Sequence, residues 1–479
     1  MKTRIFLFSL ILFSLASNAQ QIRINEIMAL NTSTISDNQG MYSDWIELHN
    51  TSGIDYDLAG HYITDNANNL TKFRFTLSAG QLVIPANGYL LIWASSNPSA
   101  GANHTDFSLS SSNGETVVLV LPNGTTIMNR FDFPPQRADV SIGKSETNAV
   151  KYYSPASPGA INNASNSYEG FLTAPSFSRQ GGFFNSNFSL SISHIEAGVS
   201  IYYTTDGSDP NPNNLGGTSY QYKNSFPETP SNPIGPLLSR SYITQTYSAP
   251  IYISNRTHNP NQISNINASI EHNPTYIPTY NVEKATILRA IALKPGLLPS
   301  EIVTQTYIYS PNAQNPYSFP VVSVTTQENN LFDYTWGIYT PGKTFDDFRI
   351  ANPSADLTWC PTGNFSIRGA ATEKSANFEF FENNISVVNQ PIGLRINGGC
   401  SSKNRYKSLR LYGSERFNEH SFFDEAPNLF HHRLILRNSG NDQLMTVFKD
   451  EFAREWLKHL NFGSQKSKPS VLFLNGEYW

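Results

Sequence analysis

Charge is in short supply in this sequence. Asp, Glu, Lys and Arg make up 15% of its 479 residues, and the balance is 33 − 37 = −4. No basic field is available to hold a polyanion, so nucleic acid is not an expected partner. Cysteine is scarcer still: Cys360 and Cys400 are the 2 in the chain, and they form no CxxC pair. A zinc site built from two isolated cysteines is not expected. In an oxidising compartment the two thiols could pair or stay free, and spacing does not decide between these. No apolar run reaches the ~20 residues that a bilayer-crossing helix needs, so no transmembrane anchor is expected in the mature chain.

Aromatics, at 13%, are abundant, with 29 Pro and 30 Gly. Asn, Ser and Thr recur throughout. This is the composition of β modules joined by turns, with surfaces that use amides and hydroxyls in place of charge. At ~150 residues per domain the length fits roughly three. The first residues read as an export leader, residues 1–19. Lys2 and Arg4 precede an apolar run from Ile5 to Ala16, and Ser17 and Ala19 supply the small residues before a cleavage site. Cleavage after Ala19 leaves Gln20 first. The expected location is extracytoplasmic: secreted, or at the cell surface, as in the outer envelope of a Gram-negative cell.

Residues 21–160 hold short strand-like runs between turn signals. Ile22–Met28 alternates. Ser43–Asn50 puts Ile46 and Leu48 on one face and Trp45 and Glu47 on the other. Gly88–Ser95 is apolar enough for burial on both sides. Thr116–Leu121 and Thr125–Phe131 flank Pro122-Asn123-Gly124, a hairpin signal. No useful helical period interrupts them, so a β-sandwich is expected. Asp37, Asp44, Asp55, Asp57 and Asp65 are candidates for calcium, but they lack the D-x-[DN]-x-[DN]-G spacing, and capping of turns accounts for them better. The blocks INEIMALNTSTISDNQGMYSDWIELHN, DLAGHYITDNANNLTKFRF, IPANGYLLIWAS, GETVVLVLPNG and PPQRADVSIGK resemble the bacterial lamin-tail domain. The resemblance implies an immunoglobulin-like sandwich used for binding or scaffolding.

Residues 165–310 open with Phe171–Pro175. They continue through Val199–Pro210, a strand running into an Asp-Gly turn, and end in strands at Thr286–Leu293 and Val303–Ile308. YYTTDGSDP followed by LRAIA resembles the fibronectin-like domain at the C-terminus of bacterial chitobiases. Between the two motifs, residues 211–283 are rich in Asn, Pro, Ser and Tyr, and read as an insertion loop outside the core. Its tyrosines either stack on sugars or pack locally. Residues 160–170 and 311–318 read as linkers.

From residue 318 to 479, FPVVSVT, GNFSIRG, SANFEFFE, PIGLRINGG, YKSLRLYG and RLILRNSGND follow one another, with LFDYTWGIY before the middle blocks and PSVLFLNGEYW after the last. Two strands, Gly393–Asn397 and Lys407–Tyr412, are joined through Gly398-Gly399-Cys400-Ser401-Ser402. A glycine-bearing turn can offer backbone N–H groups to phosphate, or be an ordinary turn. Lys407 shares a strand face with Leu409 and Leu411, where its ammonium needs a partner or must snorkel to water. An i+4 stripe from Met445 through Phe448, Phe452, Trp456 and Leu460 predicts a helix, with Asn441 or Asp442 as cap. Asp450 and Glu451 stand in its first turns, and Asp450 could instead pair with Arg454.

In content and order these blocks resemble the CotH spore-coat kinases, departing at Cys400, where that family more often has a small hydroxyl residue. The resemblance implies an atypical protein Ser/Thr kinase using ATP and Mg or another divalent metal. Lys407, Gly398, Gly399 and Glu451 are its cofactor-binding candidates. The catalytic and metal-holding acids are expected beyond Trp479, so residues 318–479 are read as a domain incomplete at its C-terminus, in a fragment that does not transfer phosphate. The expected fold class is therefore mainly β: immunoglobulin-like sandwich modules followed by a truncated α+β kinase-like domain. Two functions stay open. One is an exported kinase with binding modules in front, acting on a protein substrate. The other is a non-catalytic surface protein that adheres to glycan or another cell-surface ligand.

Overall fold

The computed structural model describes residues 21–479 except 77, 358, 414–416, 424–429, 444 and 461–464. The leader expected at residues 1–19 lies outside the described residues. The chain is mainly β, arranged in several sheets. It divides into two compact units. The first runs to Phe171 and includes Pro295–Leu298; the second holds Leu172–Lys294 and Pro299–Trp479.

In the first unit, a six-stranded sheet is centred on Ile22–Met28, with Asp44–Asn50 on one side and Ser141–Lys144 on the other. A four-stranded sheet contains Glu115–Val120 and Ile127–Phe133. Period-two alternation sorts the side chains as expected. Ile24, Ile46, Leu48 and Ile92 meet Val117, Leu119 and Phe131 in one buried cluster. On the opposite face Trp45 packs with Met28 and Trp93. That face also carries Glu47, directly across from Glu26 in the register. Both glutamates are fully buried.

The hairpin at Pro122-Asn123-Gly124 forms. Gly124 sits at φ 72° and its N–H donates to the Leu121 carbonyl at 2.9 Å, a left-handed position that suits glycine. The aspartates considered for calcium are occupied locally. Asp37 accepts from the N–H groups of Gln39 and Met41, Asp57 from Ala59 and Gly80, and Asp55 from Ala86. Asp65 pairs with Lys72, and Asp44 accepts from Leu109.

In the second unit, a five-stranded sheet runs through Gly182–Phe184, Val303–Tyr309, Ala285–Leu293, Ser200–Thr204 and Gln245–Thr246. A seven-stranded sheet contains Lys374–Glu382, Ile385–Asn397 and Ser408–Gly413. In it Val321–Thr326 pairs parallel with Val471–Leu474. Asn475 and Gly476 turn that last strand back onto Glu477–Tyr478 with φ of 44° and 78°, the pair of positive values that a type I′ hairpin requires. The hairpin then joins strand Ala285–Leu293 at its start. Ala285 N–H donates to Gly476 O at 2.8 Å, and Tyr478 N–H to Glu283 O at 3.0 Å.

Residues 211–283 correct the reading that placed them outside the core. They form a hairpin, Thr218–Tyr222 with Leu238–Tyr242, and the short paired strands Gln245–Thr246 and Ile251–Ile253, and are otherwise mostly irregular. Yet Tyr220, Ile263, Ile266 and Ala268 pack into the same buried cluster as Val324, Phe378 and Leu411 of the seven-stranded sheet. Irregular backbone is tolerated in the interior here because side chains serve it. Asn267 alone accepts from Ser269 N–H and donates to Glu271 O.

Cys360 and Cys400 form a disulfide that closes a separation of 40 residues. Alkylating the unreduced, unfolded protein should therefore label neither thiol, and labelling of both would refute the bond. Cys400→Ser should cost about 2–4 kcal/mol in a denaturant titration, because the reduced chain recovers the entropy of that loop.

Candidate functional site

Lys407 lies one residue before strand Ser408–Gly413, at the end of a turn that holds the short helix Cys400–Lys403. Its side chain does not snorkel: the residue is only 4% exposed. Nζ donates to the Ala268 carbonyl at 2.5 Å and to the Asn404 carbonyl at 2.7 Å. The rings of Tyr339 and Phe365 flank it, each with its centroid 5.0 Å from Nζ. Among the described residues no carboxylate pairs with it. Burial alone pulls the amine well below the usual lysine range. Carbonyl dipoles and ring faces thus hold a lysine that has been taken out of water.

Tyr339 organises the floor. It is buried, and its hydroxyl accepts from Lys407 N–H and from Trp479 Nε1, both at 2.9 Å. Burial is also the largest cause raising its phenol above the ordinary range. Two residues before Lys407, the Arg405 guanidinium stacks against Tyr276 and Tyr406 at 5.0 Å and donates to the Tyr276 carbonyl at 2.5 Å. A cavity of about 300 Å³ opens between residues 275–282 and the side chains of Arg405, Tyr406 and Tyr478. Tyr280 on its rim is exposed, whereas Tyr220 of the same long segment is core.

The other candidates lie elsewhere. Gly398, at φ 105°, accepts from Arg368 through its carbonyl at 2.6 Å, and the Gly399 carbonyl accepts from Ser402 N–H at 3.1 Å. The turn's carbonyls are thus engaged within the protein. The expected helix is Lys449–Leu457. Asp442 supports its start by accepting from Lys449 N–H at 3.0 Å. Glu451 accepts from Ser467 and lies 3.6 Å from Arg454. The Asp450 carboxylate binds Arg437, while the Arg454 guanidinium donates to the Asp450 main-chain carbonyl at 3.2 Å. Glu451 and Lys407 are not brought together. The apolar stripe is real, with Phe452 and Trp456 in edge contact at 5.5 Å, but these two side chains are 54% and 73% exposed.

The fit to ATP and a divalent metal is poor over these residues. Two of the lysine amine's donors are taken by carbonyls, and among the described residues no group of three or more His, Cys, Asp or Glu could hold a metal ion. Sequence reading missed Tyr339, Phe365 and the Ala268 carbonyl, which come from distant segments with no motif. Arg405 was within reach as the second cation of the same turn.

Three family models match the chain, in the order expected from the sequence blocks. Residues 16–133 match the family model of the Lamin Tail Domain, residues 190–307 the one described as Fn3 associated, and residues 394–479 that of the CotH kinase protein. No curated protein matches the chain. Among solved structures, the sialic acid binding region of the Streptococcus sanguinis SK1 adhesin bound to 3'sLn aligns over 83% of this chain and 92% of that one, at 10% identity. Its TM-score of 0.12 gives that likeness no weight for fold or function.

Proposed function

We propose that this chain is an extracytoplasmic, multi-domain binding and scaffolding protein, in which residues 318–479 form a CotH-like lobe that is closed to nucleotide. The observation that carries this reading is the seat of Lys407. Its Nζ is capped by the Ala268 and Asn404 carbonyls and flanked by the rings of Tyr339 and Phe365, which leaves a phosphate oxygen at most the ammonium's third proton, on a residue only 4% exposed. The amine is also held toward its neutral form, which weakens any attraction to an anion. The two amino-terminal matches are to modules of binding type, and the paired cysteines suit an oxidising compartment.

Calorimetry with Mg-ATP on the full chain tests it. No saturable heat is expected up to millimolar nucleotide, and Lys407→Met should leave that trace unchanged. Micromolar binding that Lys407→Met abolishes would overturn the proposal. It would favour instead the kinase reading, for which the CotH match speaks.

A further inference from the structure

A second buried lysine has surroundings of a different kind. Lys284 is 5% exposed, Asn261 9% and Glu477 3%. Lys284 Nζ lies 2.8 Å from Asn261 Oδ1 and 3.9 Å from Glu477 Oε1. We propose that Lys284 and Asn261 are joined in the mature protein by an autocatalytic isopeptide bond, formed with Glu477 as the proton-transfer group.

Each part of the reaction has a residue in place. Nζ donates to the amide oxygen and, at 2.7 Å, to the Val282 carbonyl, so the amine must turn out of these two bonds to aim its lone pair at Cγ, the carbon that bears the oxygen it already touches. Val282 N–H donates to the same Oδ1 at 2.9 Å and stabilises the charge that builds on that oxygen when the amine adds. The leaving nitrogen, Nδ2, is held by the Tyr280 carbonyl at 2.8 Å. Glu477 is fixed by Gln262 N–H at 2.7 Å and by Ser264 N–H and Oγ at 2.8 and 2.7 Å, on the segment that directly follows Asn261. Burial lowers the amine's affinity for its proton, and Arg256 adds to that against the opposing pull of Glu477.

The bonds balance without a cofactor. The Nζ lone pair forms a bond to Cγ, the Cγ–Nδ2 bond breaks, and Glu477 carries a proton from Nζ to Nδ2, which departs as ammonia. Nothing is oxidised or reduced. The product ties both ends of the segment that lines the cavity beside Arg405.

Peptide mapping of the full chain after reduction, alkylation and trypsin decides the matter. Trypsin should fail to cut after Lys284, giving one peptide from Thr257 to Arg289 that is lighter than its sequence by one ammonia, about 17 Da. Ring closure at an asparagine loses the same mass but leaves Lys284 cleavable, so the two are told apart. Lys284→Arg should restore cleavage and full mass. Glu477→Gln, checked for folding by circular dichroism, should leave the bond unformed. Wild-type protein cleaved after Lys284 at full mass would overturn the proposal, and a bond that persists in Glu477→Gln would overturn the role given to Glu477.

Discussion

Replacing Lys223 with methionine should destabilise the second unit by about 3–5 kcal/mol, the cost of leaving one member of a buried ion pair alone. Lys223 Nζ sits 2.5 Å from Asp346 Oδ2, and the two side chains are 1% and 2% exposed. Tyr334 donates a second hydrogen bond to that oxygen at 2.9 Å, while Oδ1 has no hydrogen-bond partner. Without the ammonium, the carboxylate has neither water nor a counter-ion. Methionine keeps the stem and its packing against Phe226, so the loss is electrostatic. Lys223→Met with Asp346→Asn should recover much of it. Equal denaturation midpoints for the single variant and the wild type would show that the pair contributes nothing.

The second large effect is a fall in stability of the first unit as pH rises. Glu26 and Glu47 face each other across adjacent strands, fully buried. Glu47 accepts from Asn25 Nδ2 at 2.8 Å and from Gly159 N–H. Glu26 accepts from Ser141 and Ser157. Burial is the main cause that pushes Glu47 up from 4.5 to about 8, with Asn25 and Gly159 opposing and the Glu26 charge adding to the rise; Arg23 nearby lowers it slightly. Burial raises Glu26 too. A carboxyl with a raised folded-state value holds its proton when the unfolded chain has released it. Its contribution is therefore complete below about 4.5 and is lost as pH climbs to about 8. Within that window the slope is about 1.4 kcal/mol per pH unit for one such group. Glu379 in the second unit is raised to about 8 as well, so the readout must be local. Hydrogen exchange over strands Ile22–Met28 and Asp44–Asn50, corrected for intrinsic rate, should show protection falling from pH 5 to 8. Glu47→Gln should flatten that slope while lowering the whole curve, since the amide has one oxygen and cannot accept from both Asn25 Nδ2 and Gly159 N–H. A parallel slope in the variant would refute the assignment.

What the sequence revealed was local. Asn123-Gly124 between apolar runs announced its turn, because a tight hairpin needs a residue that tolerates positive φ, as Gly124 does at 72°. The alternation of Ile46, Leu48, Trp45 and Glu47 announced two faces, because a strand has period two. Neither signal says what a face meets. The stripe at Phe448, Phe452 and Trp456 predicted the helix but not its exposure. Residues 211–283 looked like surface because irregular backbone leaves no period even when Ile263 and Ile266 are buried. The seat of Lys407 was not legible for a related reason. Its cap is a main-chain carbonyl 139 residues away, and any residue type could supply one. The Lys284, Asn261 and Glu477 cluster is invisible for the same cause, with Glu477 lying 215 residues from the Gln262 N–H that it accepts from.

The parallel pairing of Val321–Thr326 with Val471–Leu474 bears on how the chain is made. Val321 sits opposite Val471, so that sheet has no partner for one flank of its first strand until about 150 further residues have left the ribosome. Contacts of such range form slowly, because a long loop must close before they are rewarded. During synthesis the flank of Val321–Thr326 that Val471–Leu474 later covers therefore stays open after Lys374–Glu382 has emerged to pair with the other flank, and the seven-stranded sheet is the last part of the second unit to close.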